Sequence, residues 1–492
     1  MSTVLGIDLG TQSVKIVFYD FDSRKTVAVE SAPLDLYQTE AGVAEQQAHW
    51  WIHAFRQALQ KVGNDIRNSI VAIGVSGQQH GFVPIDDTGE VLAPVKLWCD
   101  TSTGAECDAI TDAFGGVDAC IAEVGNPVLP GYTASKVRWF RDAKPGRYAQ
   151  MDSILLPHDY LNFYLTGERC MEAGDASGTG FLDIRTRQWS EKMLAAIDPD
   201  RDLRECLPDV RQGNEPIGVL LPTIAEELGL PAGVPVSIGG GDNMMGAIGT
   251  GNVSPGVVTV SLGTSGTVYA YADQPIIDSN GNIAAFCSST GGWMPLLCTM
   301  TCTVSTELMR NLLDIDIASF EAQLAMSNRG ANGIITVPFF NGERTPNLPN
   351  AKGCILGLDS HNTRPENMLR SAVEGATFSL RFGFDELSKL GISADRIVLT
   401  GGGANSETWR QIVADICNAP VTVLKNNEGA AFGAALQALA MHQDVEIETV
   451  VAEHLAQDDA RSCVPHPSAV DIYDATYKQY INAVDQVAAL YN

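Results

Sequence analysis

The sequence predicts an α/β protein made of two duplicated domains around a central cleft, and three observations predict it. At 492 residues the chain is too long for one ordinary hydrophobic core, so two large domains are expected. Ile7-Asp-Leu-Gly10-Thr11 and Val260-Ser-Leu-Gly263-Thr264 each close an apolar strand with the same Leu-Gly-Thr turn and lead into a second β-rich strand. Each half then runs through a helix and a strand into a glycine loop, at Gly77 in the first and at Gly401 in the second. One Gly-Thr turn carries little weight, but two in matching contexts indicate an internal duplication. The division falls between residues 1–246 and 247–492, with an insertion over about 105–235 that shapes and covers a pocket.

Residues 4–11 form the first strand, 13–19 return antiparallel, and 25–31 supply a third. A strand, tight turn and strand present several backbone N–H groups at one tip. That makes a concavity of phosphate size, with Asp8 before it for a metal and Lys15 after it. Trp51, Ala54, Phe55, Ala58, Leu59 and Val62 are spaced three and four apart, which predicts an amphipathic helix over 50–62. Val71-Ala-Ile-Gly-Val-Ser76 reads as a buried strand running into Gly77-Gln-Gln-His80-Gly81. Ligands of open α/β sheets bind at such strand ends, and amides with a neutral imidazole suit hydroxyl groups. Lys96-Leu-Trp98-Cys99-Asp100 ends a further strand and could line the same pocket. The small-residue loop Ala173-Gly-Asp175-Ala-Ser177-Gly-Thr179-Gly reads as turn chemistry.

Val236-Ser-Ile-Gly-Gly-Gly-Asp242-Asn-Met-Met-Gly246 delivers one carboxylate to mid-chain beside three glycines. With so little bulk around it, Asp242 either takes a close-approaching substrate or caps the next helix. In the second half a helix over about 365–390 precedes the strand 396–400, the loop Gly401-Gly-Gly403-Ala-Asn405-Ser406 and a helix over 407–418.

Composition narrows the function classes. A net charge of −27 opposes general binding to nucleic acid or an anionic membrane, although backbone amides and a metal ion can still hold phosphate locally. No apolar run reaches membrane-spanning length, and no cationic-then-apolar leader follows Met1. Eleven cysteines are scattered without a Cys-x-x-Cys pair, and Cys298 and Cys302 are expected to share a helix face as buried thiols. A reduced, cytoplasmic protein is expected. Neither Gly-x-Gly-x-x-Gly nor Gly-x-x-x-x-Gly-Lys-Ser/Thr occurs in a strand-to-helix context, which argues against dinucleotide and P-loop folds.

The paired hairpins are similar to those of the actin, hexokinase and sugar kinase superfamily, with ribonuclease-H-like halves. Gly6-Ile-Asp8-Leu-Gly-Thr11, Gly77-Gln-Gln-His80-Gly81, Gly239-Gly-Gly-Asp242-Asn243, Ser261-Leu-Gly-Thr-Ser-Gly266, Gly342-Glu-Arg-Thr-Pro346 and Thr400-Gly-Gly-Gly403 resemble the FGGY carbohydrate kinases from residue 4 to about 440. Within that family the resemblance is nearest to the xylulokinase group, shared also by Leu155-Leu-Pro-His-Asp-Tyr-Leu161 and Gly353-Cys-Ile-Leu-Gly-Leu358. The resemblance implies ATP- and Mg²⁺-dependent phosphorylation of a ketopentose, D-xylulose to D-xylulose 5-phosphate. It implies Asp242 as proton acceptor, Asp8 as support for the Mg²⁺–phosphate arrangement, and Gln79, His80, Trp98, Asp100 and Asn243 around the sugar. Thr11, Gln12, Lys15, Gly263 and Thr264 would face the phosphates, and Gly402, Gly403 and Ser406 would border the adenosine. The partners implied are the sugar and ATP, without nucleic acid or membrane, and a homodimer is left open. Xylulokinases usually carry Met at the position of Gln79 and Asn at that of Cys99, so ribulose, another ketose or a polyol stays open as substrate. From a different class, an actin-like nucleotide switch would share the hairpins but need no base poised at a sugar hydroxyl.

Overall fold

In the computed structural model, which describes residues 1–426 and 428–491, the opening hairpin sets the frame of the first unit. Strands β1 (Thr3–Leu9) and β2 (Ser13–Asp20) pair antiparallel, and β3 (Lys25–Pro33) pairs antiparallel with β2. Helix α1 (Ala48–Gln60) buries Trp51, Ala54, Phe55, Ala58 and Leu59, the face its spacing predicts. Strand β4 (Ile70–Gly77) runs parallel to β1, which places Ser76 beside Asp8. Helix α2 (Pro157–Thr166), strands β5 (Gly218–Val219), β6 (Pro235–Val236) and β7 (Gly240–Gly241) and helix α3 (Asp242–Thr250) follow. The sheet order is β5-β6-β4-β1-β2-β3, with β7 also parallel to β4.

The second unit repeats this plan. Strand β8 (Gly256–Leu262) pairs antiparallel with β9 (Gly266–Ala270), and β9 with β10 (Leu296–Thr299). Helix α4 (Pro365–Lys389) leads to β11 (Ala394–Thr400), parallel to β8; helix α5 (Glu407–Cys417) leads to β12 (Val421–Thr422), parallel to β11. The order β10-β9-β8-β11-β12 matches β3-β2-β1-β4-β6 strand for strand. The predicted duplicated α/β architecture is therefore the observed one.

The boundaries are less simple than a single cut. The first unit comprises Met1–Val253, Ala272–Met294 and Glu428–Leu455; the second comprises the described parts of Ser254–Tyr271, Pro295–Asn427 and Ala456–Asn492. The segment expected as one insertion also divides. Cys107, Ile110, Val137, Phe140, Met193 and Leu203 belong to a second apolar core, whereas Leu161, Leu165, Ile217 and Val236 pack with the sheet. Cys298 lies on β10 and Cys302 just before the helix Thr303–Leu312, so they do not share a helix. All eleven cysteines are free thiols. Among the described residues no helix is long and apolar enough to cross a membrane.

The helix Gly429–Gln443 covers the first sheet from late in the sequence. Its Gly-Ala-Ala-Phe-Gly-Ala-Ala run removes side-chain bulk so that backbones touch. A Cβ on Gly6 would stand 1.9 Å from Ala431 O, one on Gly74 2.0 Å from Ala434 O, and one on Gly433 1.7 Å from Met245 O in α3. A Cβ at these distances meets backbone, which cannot swing aside. Gly433→Ala is therefore expected to lose about 1–3 kcal/mol or more in urea unfolding with an unchanged m-value. Gly63→Ala, which meets nothing within 4 Å, serves as the control and stays near wild type.

Candidate active site

The candidate site of the first unit is assembled where β1, β4 and β7 end side by side. Register places Asp8 opposite Ser76 and Ser76 opposite Gly240, so Asp242 follows two residues after the strand position next to Asp8's neighbour. Ser76 Oγ donates to Asp8 Oδ1 at 3.0 Å. Burial raises the pKa of Asp8, opposed by the Ser76 hydroxyl and the Lys15 charge. Lys15, across the hairpin from Asp8, pairs with Glu428 at 3.2 Å.

Asp242 is the first residue of α3, and its Oδ1 accepts from the Asn243 backbone N–H at 2.8 Å and from Asn243 Nδ2 at 3.0 Å. Desolvation, with the negative charges of Asp8 and Asp175, pushes its pKa up to about 8 against the two Asn243 hydrogen bonds. Asn243 Nδ2 also donates to Gln79 Oε1 at 2.9 Å. That bond sets the Gln79 amide, whose buried Nε2 has no hydrogen-bond partner among the described residues. A donor held this way is suited to a ligand oxygen.

The three glycines before Asp242 are each required by packing. Gly239 has φ of +73°, and a Cβ there would lie 2.2 Å from Val75 O. A Cβ on Gly240 would lie 2.7 Å from Ser289 Oγ, and one on Gly241 2.7 Å from Gln79 Cγ. His80 sits in the left-handed region at φ of 64°, a conformation that costs a side-chain-bearing residue about 1–3 kcal/mol. Its carbonyl accepts from Lys136 Nζ at 2.7 Å and Thr133 Oγ1 at 3.2 Å, and its ring packs 5.0 Å from Tyr132 and 5.6 Å from Phe286.

Other expected residues stand differently. Asp100 is fully buried and both carboxylate oxygens are occupied, by Ala44 N–H, Lys96 Nζ, Ser102 N–H and Ser102 Oγ. Four donors use its accepting capacity, so Asp100 anchors its own loop. Trp98 Nε1 donates to Thr11 Oγ1 at 3.0 Å, and Thr11 Oγ1 donates to Gln78 Oε1 at 3.0 Å. The Thr11 hydroxyl thus stiffens the turn, while the backbone N–H groups of Thr11 and Gln12 have no partner among the described residues.

In the second unit, Gly263 and Thr264 direct their carbonyls to the N–H groups of Thr303 and Cys302, both at 2.9 Å. A Cβ on Gly402 would meet nothing within 4 Å, whereas one on Gly403 would lie 2.8 Å from Leu262 Cβ. Gly402 therefore borders open space and Gly403 serves packing. Ser406 caps α5 by accepting from Trp409 N–H at 3.0 Å and donates to Glu321 Oε2 at 2.6 Å. Glu343 of the Gly-Glu-Arg-Thr-Pro motif is buried, takes the N–H groups of Met300 and Arg344, and is pushed up to about 7 by burial.

Residue patterns alone missed a buried charge cluster behind Asp242. Glu172 accepts the N–H groups of Gly174 and Asp175 and is pushed by burial to about 7. Asp175 accepts from, or donates to, His158 Nδ1 at 2.8 Å according to their protonation. The run Gly174-Asp175-Ala-Ser177-Gly178 held the signal, since so many small residues around one acid denote close packing as well as a turn. Phe286 and Ser289 come from 272–294, a segment that returns to the first unit after the chain has entered the second.

Residues 3–249 match the N-terminal domain, and residues 258–442 the C-terminal domain, of the FGGY family of carbohydrate kinases. The chain is 43% identical over 490 residues to a xylulose kinase of Haemophilus influenzae, covering 98% of this chain and 99% of that one. It is 34% identical over 438 residues to a xylulose kinase of Escherichia coli, covering 88% of each. Among solved structures, a xyloylose kinase from Brucella ovis superposes with a TM-score of 0.91 at 30% identity, over 99% of this chain and 100% of that one.

The raised Asp242 carboxyl carries a stability consequence. An acid whose folded pKa exceeds its unfolded value of 3.8 costs nothing below that value, then costs more as pH rises to about 8. Asp242→Asn removes this cost, so its melting temperature is expected to exceed wild type by more at pH 8.5 than at pH 5. At roughly 2–4 °C per kcal/mol, scanning calorimetry resolves the difference. An identical offset at both pH values would contradict a raised pKa.

Proposed function

The chain belongs to the FGGY family of carbohydrate kinases, and from that premise we propose that it transfers the γ-phosphoryl group of ATP to the terminal hydroxyl of D-xylulose, giving D-xylulose 5-phosphate. The observation that carries the reading is Asp242: a carboxylate at a glycine bend, desolvated enough to hold a proton, with the Asn243–Gln79 pair beside it to grip a polyhydroxy substrate. Support for the sugar comes from the xylulose kinases to which the chain is similar over nearly its full length.

Phosphoryl transfer asks the protein for position, charge stabilisation and a base for the alcohol proton. Gln79 Nε2 donates to a sugar oxygen, His80 and Asn243 bind neighbouring hydroxyls, and Asp242 accepts the proton of the attacking hydroxyl. In the first unit the Thr11 and Gln12 amides suit phosphate; taken by itself, the second unit offers the Gly263-Thr264 turn and Gly402, which suit nucleotide. Among the described residues no group of three or more His, Cys, Asp or Glu forms a metal cage. Mg²⁺ does not need one, since it takes one or two carboxylates and leaves its other positions to phosphate and water, and Asp8 with Asp242 near it fits that donor set. When bound, Mg²⁺ neutralises phosphate charge. The residues' own part is to hold Asp8 by Ser76 and to keep Asp242 free for the hydroxyl proton. Use of ATP and the free thiols suit the cytoplasm.

Asp242→Asn is expected to lose about 10²–10⁴ in kcat while calorimetry still detects sugar and nucleotide binding. Near-normal turnover would remove Asp242 from the mechanism. A coupled ADP-release assay over D-xylulose, D-ribulose, L-ribulose and xylitol is expected to give the highest kcat/KM for D-xylulose. Preference for another member of the panel would overturn the sugar assignment, and silence over the whole panel the kinase reading.

A further inference from the structure

Two paired strand ends that carry site residues, β4 and β7, both pack against a residue that takes no part in the transfer. His158, the second residue of α2, is wholly buried. Its Nδ1 is hydrogen-bonded to Asp175 Oδ2 at 2.8 Å, and its Nε2 lies 2.9 Å from Asp159 Oδ1 as an ion pair that is not aligned as a hydrogen bond. Asp159 and Asp175 are both buried, and two carboxyl groups flanking one imidazole in the interior favour a charged ring between them. Burial opposes that charge, but Asp159 and Asp175 outweigh it and raise the His158 pKa well above its ordinary value. Glu172, in the stretch that carries Asp175, adds a third nearby carboxyl. Gly77 at the end of β4 and Gly239 just before β7 are the glycines that meet His158.

The packing shows what the cation holds. A Cβ on Gly77 would lie 2.8 Å from His158 N and 2.9 Å from His158 Cβ, and one on Gly239 3.3 Å from His158 Cδ2. Gly77 leads into Gln79 and His80, and Gly239 leads into Asp242. On the other side, the Asp175 loop continues to Gly178, where a Cβ would stand 2.1 Å from His80 Cε1. His158 thus abuts both chain segments that carry the sugar-facing side chains, through its backbone and Cβ on the Gly77 side and through its ring on the Gly239 side, and the Asp175 loop backs the ring of His80.

We propose that His158 is a positioning residue for the sugar: a buried cation between Asp159 and Asp175 that sets the 77–81 and 239–242 segments against each other. This rests on the kinase reading above. Charge, rather than the imidazole itself, is what the position requires, so lysine substitutes for histidine there and a neutral isostere does not.

The test compares wild type, His158→Gln, His158→Lys and Asp175→Asn by the KM for D-xylulose, the KM for ATP and kcat, with circular dichroism and melting curves to establish folding. His158→Gln is expected to raise the sugar KM about tenfold or more and leave the ATP KM within about twofold, because the displaced groups are those that hold the sugar. His158→Lys recovers most of the lost affinity. Asp175→Asn, which keeps an acceptor for Nδ1 but removes its charge, raises the sugar KM by a smaller factor. The proposal is overturned by a folded His158→Gln enzyme with wild-type constants, by equal impairment of the Gln and Lys variants, or by parallel rises in both KM values. Should His158→Gln not fold, Asp175→Asn decides alone, and an unchanged sugar KM there overturns the proposal. A wild-type enzyme inactive on every pentulose sinks the kinase reading instead, which is a separate outcome.

Discussion

Close approach of bare backbone is the constraint on which the first unit depends. The helix Gly429–Gln443 lies on β1 and β4 only because Gly6 and Gly74 have no side chains, and it crosses α3 only because Gly433 has none. The same device recurs at the site, where Gly239 meets Val75 O and Gly241 meets the Gln79 side chain. Glycine in a strand or helix forfeits conformational entropy of about 0.5–1 kcal/mol relative to alanine. Here that loss is offset by packing that no other residue permits, and Asp242 is brought within the field of Asp8 as a result.

Electrostatics then becomes the second problem, because Asp8, Asp159, Glu172, Asp175 and Asp242 gather acids in one desolvated region. The structure answers with particular partners: Ser76 on Asp8, Asn243 on Asp242, two backbone N–H groups on Glu172 and His158 between Asp159 and Asp175. The compensation is incomplete at Asp242, whose pKa stays high. Incomplete compensation suits the proton-accepting role proposed for Asp242, since a carboxylate fully satisfied by the protein has no affinity left for a substrate proton. Asp100, with four donors, is the contrasting case in the same unit.

Local patterns revealed much of this. The 3.6-residue spacing of Trp51, Phe55 and Leu59 identified a helix face, and the two Leu-Gly-Thr turns identified the duplication, because both signals are short-range and repeat. Asp8, Gln79, His80 and Asp242 were singled out for a related reason: each stands near a glycine or a strand end. The hydrogen bonds that hold the Asp100 carboxylate and the Thr11 hydroxyl were not legible, since they depend on Lys96, Ser102, Trp98 and Gln78, and a motif does not show which of its polar atoms are already used.

By itself, the sequence determined the succession of hairpin, helix, strand and glycine loop in each half and the carboxylate at the glycine bend, because hydrophobic period, turn chemistry and glycine placement act over a few residues. Tertiary structure alone decided that residues 272–294 bring Phe286 to His80, that Gly429–Gln443 closes the first sheet, and that His158 sits between acids from two elements. Those arrangements join residues separated by up to hundreds of positions, and they depend on excluded volume and desolvation, which exist only once the chain has packed.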